Sequence, residues 1–146
     1  MARILVLNGP NLNLLGERDP AHYGPKTLGE IEKDLAEAAM KLRVEIVCYQ
    51  SNHEGSLIDK IHEERKYCQG IIINPGALAH YSYALRDAIE AVGIPTVEVH
   101  ISDIHSREEW RRHSVISDVA WKVIAGKGPT GYIEALETLV NNYPGP

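Results

Sequence analysis

Gly70-Ile71-Ile72-Ile73-Asn74-Pro75-Gly76 is an apolar, β-branched run that stops abruptly at an amide and a turn. Such a run fits a strand buried on both faces, the usual state of a strand in a parallel sheet. Four other short runs have the same character: Arg3–Leu7, Val44–Tyr49, Thr96–Val99 and roughly 121–125. Between them the apolar period changes to that of helices. Thr27-Leu28-Gly29-Glu30 has the form of a capping box, in which the Thr oxygen and the Glu carboxylate satisfy each other's free amides. Leu28, Ile31, Leu35, Ala38 and Leu42 then fall on one face. A second helix is expected from Ser56, with Leu57, Ile58 and Ile61 inward. A third is expected from Ser82, ended by Gly93 and Pro95, and a last one after Gly131.

Five strands alternating with helices predict one α/β domain over residues 1–146, a parallel sheet covered on both faces. Right-handed crossovers leave few topologies, and the flavodoxin-like three-layer sandwich with strand order 2-1-3-4-5 is the expected one. Tyr143-Pro144-Gly145-Pro146 cannot continue a helix and is expected to fray.

The bulk composition is that of an ordinary globule, 44% hydrophobic and 24% charged in 146 residues. No apolar run approaches the ~18 residues of a membrane span. The run Ile4–Leu7 is too short and too early for a signal-peptide core, so a cytoplasmic location is expected. A formal charge of −5 argues against a nucleic-acid partner. The two cysteines, Cys48 and Cys68, are expected to be buried free thiols.

In open α/β sheets ligands bind beyond the carboxyl ends of the strands. Four of these ends are rich in hydrogen-bonding groups: Asn8-Gly9-Pro10-Asn11, Gln50-Ser51-Asn52-His53-Glu54, Asn74 to His80, and Glu98-Val99-His100-Ile101-Ser102. The first connection, residues 8 to 26, is far longer than a usual βα loop of about 2–6 residues. With Gly16 and Gly24 near its ends it has the makings of a lid.

Arg18 and Tyr23 lie within that lid. A tyrosine is a poor base at neutral pH unless its phenolate is stabilised, and an arginine, which keeps its own proton, is suited to do so. Arg107 or Arg111 could supply a second cation. Glu98 and His100 are two apart on a strand and so share a face. A buried carboxylate there could accept a hydrogen bond from the imidazole and orient it for acid–base work.

Several chemistries lack their motifs. GxxxxGK[ST] and GxGxxG are missing, as are the GxSxG elbow and HExxH. The first loop holds leucines and asparagines where a flavin-phosphate site would need hydroxyls. The first and third strands end in Asn8 and Asn74, where a response regulator would need acids. The seven histidines show no metal-ligand spacing. A binding module for a small carboxylic acid and a metal-assisted hydrolase are the competing readings, and Tyr23 beside Arg18 speaks against the first.

Taken in order, Leu7 to Gly16, Arg18 to Gly24, Asn74 to Ala77, His80, Ala84 to Ala88, Glu98 to Ser102 and Arg107 to Ser114 resemble the type II 3-dehydroquinases over essentially the whole chain. The resemblance implies trans-dehydration of 3-dehydroquinate to 3-dehydroshikimate in the shikimate pathway of aromatic amino-acid biosynthesis, without metal, cofactor or Schiff base. It implies Tyr23 as the base, Arg18 as its activator and His100, oriented by Glu98, as the acid. Asn11 and an ordered water would steady the enolate. Asn74 and the amides of Ile101 and Ser102 would clamp the carboxylate, with Ala77 in the same loop. His80 and Arg111 would read hydroxyls, and Arg107 would close with the lid. Asp87 would reach in from a neighbouring subunit of a dodecamer built from trimers. The chain departs from the family's habit at Ala79, commonly Thr, and at Asp19, often Glu.

Overall fold

A computed structural model of the chain describes residues 1–142, so the expected fraying of 143–146 lies outside the described residues. Five strands, β1 (Arg3–Asn8), β2 (Glu45–Gln50), β3 (Gly70–Asn74), β4 (Thr96–His100) and β5 (Lys122–Ala125), pair in parallel in the order β2-β1-β3-β4-β5. This is the predicted flavodoxin-like order.

The helices are α1 (Pro20–Tyr23), α2 (Leu28–Leu42), α3 (Glu54–Glu64), α4 (Tyr83–Val92) and α5 (Thr130–Asn142). Strand alternation sends Ile4, Val6, Ile72, Val97 and Val99 to one face, against Ile31 and Leu35 of α2 and Tyr132, Leu136 and Leu139 of α5. Leu5, Leu7, Ile71 and Ile73 face the other way, against Leu57 and Ile61 of α3 and Leu85 and Ile89 of α4. Each fully buried aliphatic side chain contributes roughly 1.5–3 kcal/mol through the water it leaves.

The capping box forms as expected: Glu30 N donates to Thr27 Oγ1 at 3.1 Å and Thr27 N to Glu30 Oε1 at 3.2 Å. Ser82 likewise caps α4, its hydroxyl accepting from Leu85 N. Two helix starts differ from expectation. Helix α3 begins at Glu54, not Ser56, where the Glu54 carboxylate accepts from the Ser82 hydroxyl and ties α3 to α4. Helix α5 begins at Thr130, so Gly131 lies in its first turn. A Cβ there would stand 3.3 Å from Ile124 and 3.4 Å from Val99, so the glycine lets α5 lie close on the sheet.

Cys68 is buried but Cys48 only half so, a partial correction of the expectation for the pair. Both are free thiols, pushed up by burial to about 12 for Cys48 and about 11 for Cys68, so neither is a nucleophile at neutral pH. Among the described residues no helix is long and apolar enough to cross a membrane.

Candidate active site

A cavity opens at the carboxyl edge of the sheet, where the chain order reverses between β1 and β3. Its walls come from the loops after β1, β3 and β4. The loop after β2 does not line it. Instead Gln50 Nε2 donates to Gly9 O at 3.2 Å and Asn52 Oδ1 accepts from Asn11 N at 3.0 Å, so that loop braces the first one.

The loops after β1 and β3 are locked together. Gly9 N donates to Asn74 O at 2.8 Å. A Cβ on Gly9 would lie 2.4 Å from the Pro75 carbonyl oxygen, and one on Gly76 would lie 3.0 Å from that of Pro10. Only glycine allows the two backbones this approach. Asn11, in the left-handed conformation at φ 70°, then turns the chain into a short helical turn pinned by buried Leu12 and Leu15.

The long first connection is ordered rather than structureless. Asp19 caps α1 by accepting from Ala21 N, Pro20 occupies its first position, and Gly24 N closes it on Pro20 O. Asp is among the preferred N-cap residues, which gives the Asp19 departure a local reason. Helix α1 brings Tyr23 inward, nearly buried. Arg18 Nη2 donates to the Tyr23 hydroxyl at 2.7 Å and Arg107 Nη1 donates to the same oxygen at 2.6 Å. The Arg18 guanidinium carbon also lies 3.8 Å from the Tyr23 ring centroid. The expected second cation is therefore Arg107. Arg111 instead bonds Glu108 at 2.8 Å and lies over Trp110, while still lining the cavity.

Facing the lid, His100 Nε2 donates to Glu98 Oε2 at 2.5 Å. Ser114 Oγ donates to the same oxygen at 2.7 Å, and Ser117 Oγ donates to Oε1 at 2.9 Å. Burial of Glu98 works against its charge, but the His100 hydrogen bond and charge and the two serine hydroxyls outweigh it and hold the carboxyl below its ordinary range. An ionised carboxylate only accepts, so Nε2 carries a proton and Nδ1 is the ring nitrogen without a protein partner among the described residues.

His80 Nδ1 donates to the His113 carbonyl at 2.6 Å, and its ring meets Trp110 edge-on. Burial, together with the charges of His100 and Arg111, keeps His80 below the ordinary histidine value despite that bond. It therefore offers Nε2 as an acceptor at neutral pH. Ala79, beside it, is fully buried, with its carbonyl taking Val115 N. That backbone tie, and not a side-chain hydroxyl, anchors the turn.

Of the residues expected at the site, Asn11, Arg18, Tyr23, Asn74, Ala77, His80, His100, Ile101, Ser102, Arg107 and Arg111 line this one cavity. Glu98 lies beneath it. Asp87 stands on the exposed face of α4 and does not line the cavity. The sequence reading missed Pro10, Leu12, Gly76 and Ile104 in the walls, and Ser114, Ser117 and Tyr132 behind them. Helical and strand spacing carries no sign of these, because each acts across the fold. Among the described residues no three His, Cys, Asp or Glu side chains converge as a metal site would require.

Residues 2–140 match the model of the family Dehydroquinase class II. A 3-dehydroquinate dehydratase of Pelotomaculum thermopropionicum is 58% identical over 134 residues, covering 92% of this chain and 93% of that protein. A catabolic 3-dehydroquinase of Verticillium alfalfae is 54% identical, covering 93% and 91%. The crystal structure of the type II dehydroquinase from Butyrivibrio crossotus superposes with a TM-score of 0.93 at 47% identity, over 94% of this chain and 97% of that one. With a phenol held by two guanidinium groups facing an imidazole held by a carboxylate, the chain belongs to the class II dehydroquinase family.

Proposed function

We propose that this cavity dehydrates 3-dehydroquinate to 3-dehydroshikimate by trans-elimination, with Tyr23 as base and His100 as acid. The family catalyses this dehydration. The observation that carries the assignment of roles is the pair of guanidinium donors on one phenol oxygen, at 2.7 and 2.6 Å. Binding alone has no use for such an arrangement. A base that removes a proton beside a ketone does, because two fixed donors hold its oxygen in place and set positive charge where the enolate forms.

In the first step the Tyr23 phenolate takes the proton from the carbon next to the ketone, and the carbon's electron pair becomes the enolate. Asn11, in the cavity wall, steadies that charge through a water, and Arg18 adds to the local positive field. In the second step the enolate reforms the ketone, the C–O bond breaks, and His100 gives a proton from Nδ1 so that the hydroxyl leaves as water. Glu98 keeps the imidazole oriented by accepting from its Nε2. The proton left on Tyr23 then returns through solvent to His100. Asn74 and the amides of Ile101 and Ser102 hold the carboxylate, while His80 and Arg111 take the hydroxyls. No metal, cofactor or Schiff base enters these steps.

Asp87 is assigned to the site of a neighbouring copy, in a dodecamer of trimers. Its exposure on α4, away from its own cavity, supports this. We place the enzyme in the cytoplasm and in aromatic biosynthesis. Relatives named for the catabolic reaction share the same chemistry, and aromatic auxotrophy on deletion is the test of the biosynthetic role.

Adding 3-dehydroquinate to the purified protein should raise the ultraviolet absorbance of a conjugated enone. Chelator should leave the rate unchanged, and borohydride with substrate should not inactivate. No rise at micromolar enzyme would overturn the assignment.

A further inference from the structure

Below the cavity a buried hydrogen-bond chain joins three elements. Asn74 ends β3, Tyr132 lies in α5 and Asn8 ends β1; all three are buried, with Asn8 and Tyr132 fully so. Asn74 Nδ2 lies 2.9 Å from Tyr132 Oη, and Tyr132 Oη lies 2.5 Å from Asn8 Oδ1. We propose that Tyr132 is a positioning residue, which holds the Asn74 amide so that an N–H and not the carbonyl oxygen is offered to the substrate's carboxylate. This rests on the reading above that Asn74 belongs to the carboxylate clamp.

The direction of the chain is set by a backbone group. Gly76 N can only donate, and it lies 3.2 Å from Asn74 Oδ1. The other end of the Asn74 amide, Nδ2, therefore faces Tyr132, whose oxygen must accept. The single Tyr132 proton then goes to Asn8 Oδ1. Oδ1 is thus turned to the Gly76 amide, and one N–H of Nδ2 remains for the cavity that Asn74 lines.

Fold stability alone does not call for this arrangement. Its far end, Asn8 Nδ2, is buried without a partner among the described residues. A buried amide left half satisfied is a cost that an apolar Phe–Leu contact would not carry. Burial also pushes the Tyr132 phenol up, away from any titration near neutral pH, so its hydroxyl stays a fixed donor and acceptor. The two cavity-side tyrosines thus have opposite surroundings. Tyr23 meets two cations, while Tyr132 meets two neutral amides. Without the Tyr132 hydroxyl, Gly76 N alone still holds the Asn74 amide by its oxygen, and the nitrogen loses the contact that aims its second N–H into the cavity.

Steady-state kinetics with 3-dehydroquinate test this in wild type, Tyr132→Phe, Asn74→Ala and the double variant, with thermal melts to confirm folding. Tyr132→Phe should raise KM about tenfold, the scale of one hydrogen bond to a charged group, and change kcat less than about threefold. Asn74→Ala should raise KM at least as much, and the double variant should be no worse than Asn74→Ala alone. A KM for Tyr132→Phe within about twofold of wild type, or single effects that multiply in the double variant, would overturn the proposal. An unchanged KM in Asn74→Ala would overturn the clamp reading itself, and the proposal with it. If Tyr132→Phe does not fold, Asn8→Leu removes the acceptor of the Tyr132 proton. It should raise KM about threefold, and an unchanged KM there counts against the proposal.

Discussion

The lid and the strand wall each bring an ionisable side chain to the same cavity, Tyr23 and His100, and they are built on opposite plans. On the lid, Tyr23 stands on a four-residue helix and draws its two cations from Arg18, five residues away, and Arg107, 84 residues away. On the wall, Glu98 and His100 are two apart on one buried strand. The lid's group draws on a different loop, since Arg107 follows β4. The wall's group sits inside the fold, where Glu98 accepts from His100, Ser114 and Ser117. A charge inside the fold has no water to lean on and needs fixed partners, which Glu98 finds in three hydrogen bonds.

Breaking the lid's plan should have the largest effect. Tyr23→Phe should lower kcat about 10³-fold, within the range of general-base catalysis, while calorimetry still detects 3-dehydroquinate binding. Near-normal turnover would remove Tyr23 from the chemistry. His100→Gln attacks the wall and should lower kcat about 100-fold, because water can replace an acid more readily than a positioned base.

Glu98→Gln sharpens the contrast through stability. A Gln keeps an acceptor but leaves a serine or imidazole donor unmatched, which should cost about 2 kcal/mol at pH 7 by urea denaturation. Glu98 is held below its ordinary value in the folded chain, so the unfolded chain binds more protons between the two values. Its stabilisation is full above the ordinary carboxylate value, ~4.3, and is lost as pH falls through the lower folded one. The gap between wild type and Glu98→Gln should therefore narrow in acid. A gap that widened would mean that the carboxylate is not the stabilising form.

The smallest effect is expected at the hinge. Gly24 has φ 72° and ψ −179°, a region nearly reserved for glycine, yet a Cβ there meets nothing within 4 Å. Gly24→Ala thus tests backbone conformation alone. It should lower kcat/KM about fivefold through a misplaced Tyr23, with little change in Tm because the lid can relax outward.

The wall and the lid also differ in how readily they were legible. The Thr27 capping box and the shared face of Glu98 and His100 follow from local spacing, and the strand order from the alternation of strands with helices and the hand of their crossovers. Tyr23 beside Arg18 stood out because the loop was too long, although its helix α1 and the Asp19 cap did not. What stayed hidden was every partnership across the fold. Nothing in the sequence singles out Ser114 and Ser117 until the structure sets them on Glu98, or Tyr132 until its hydroxyl reaches Asn8 and Asn74. The early start of α3 has the same origin, a Glu54–Ser82 contact between helices.

The back-to-back fit of Gly9 on Pro75 and of Gly76 on Pro10 has a consequence for change in this enzyme. One turn cannot be exchanged, lengthened or given a side chain while the other keeps its shape. Asn11 and Asn74 therefore form a single inheritable unit, although 63 positions separate them along the chain. Any route to a new substrate, by drift or in a designed library, has to move both turns in the same step.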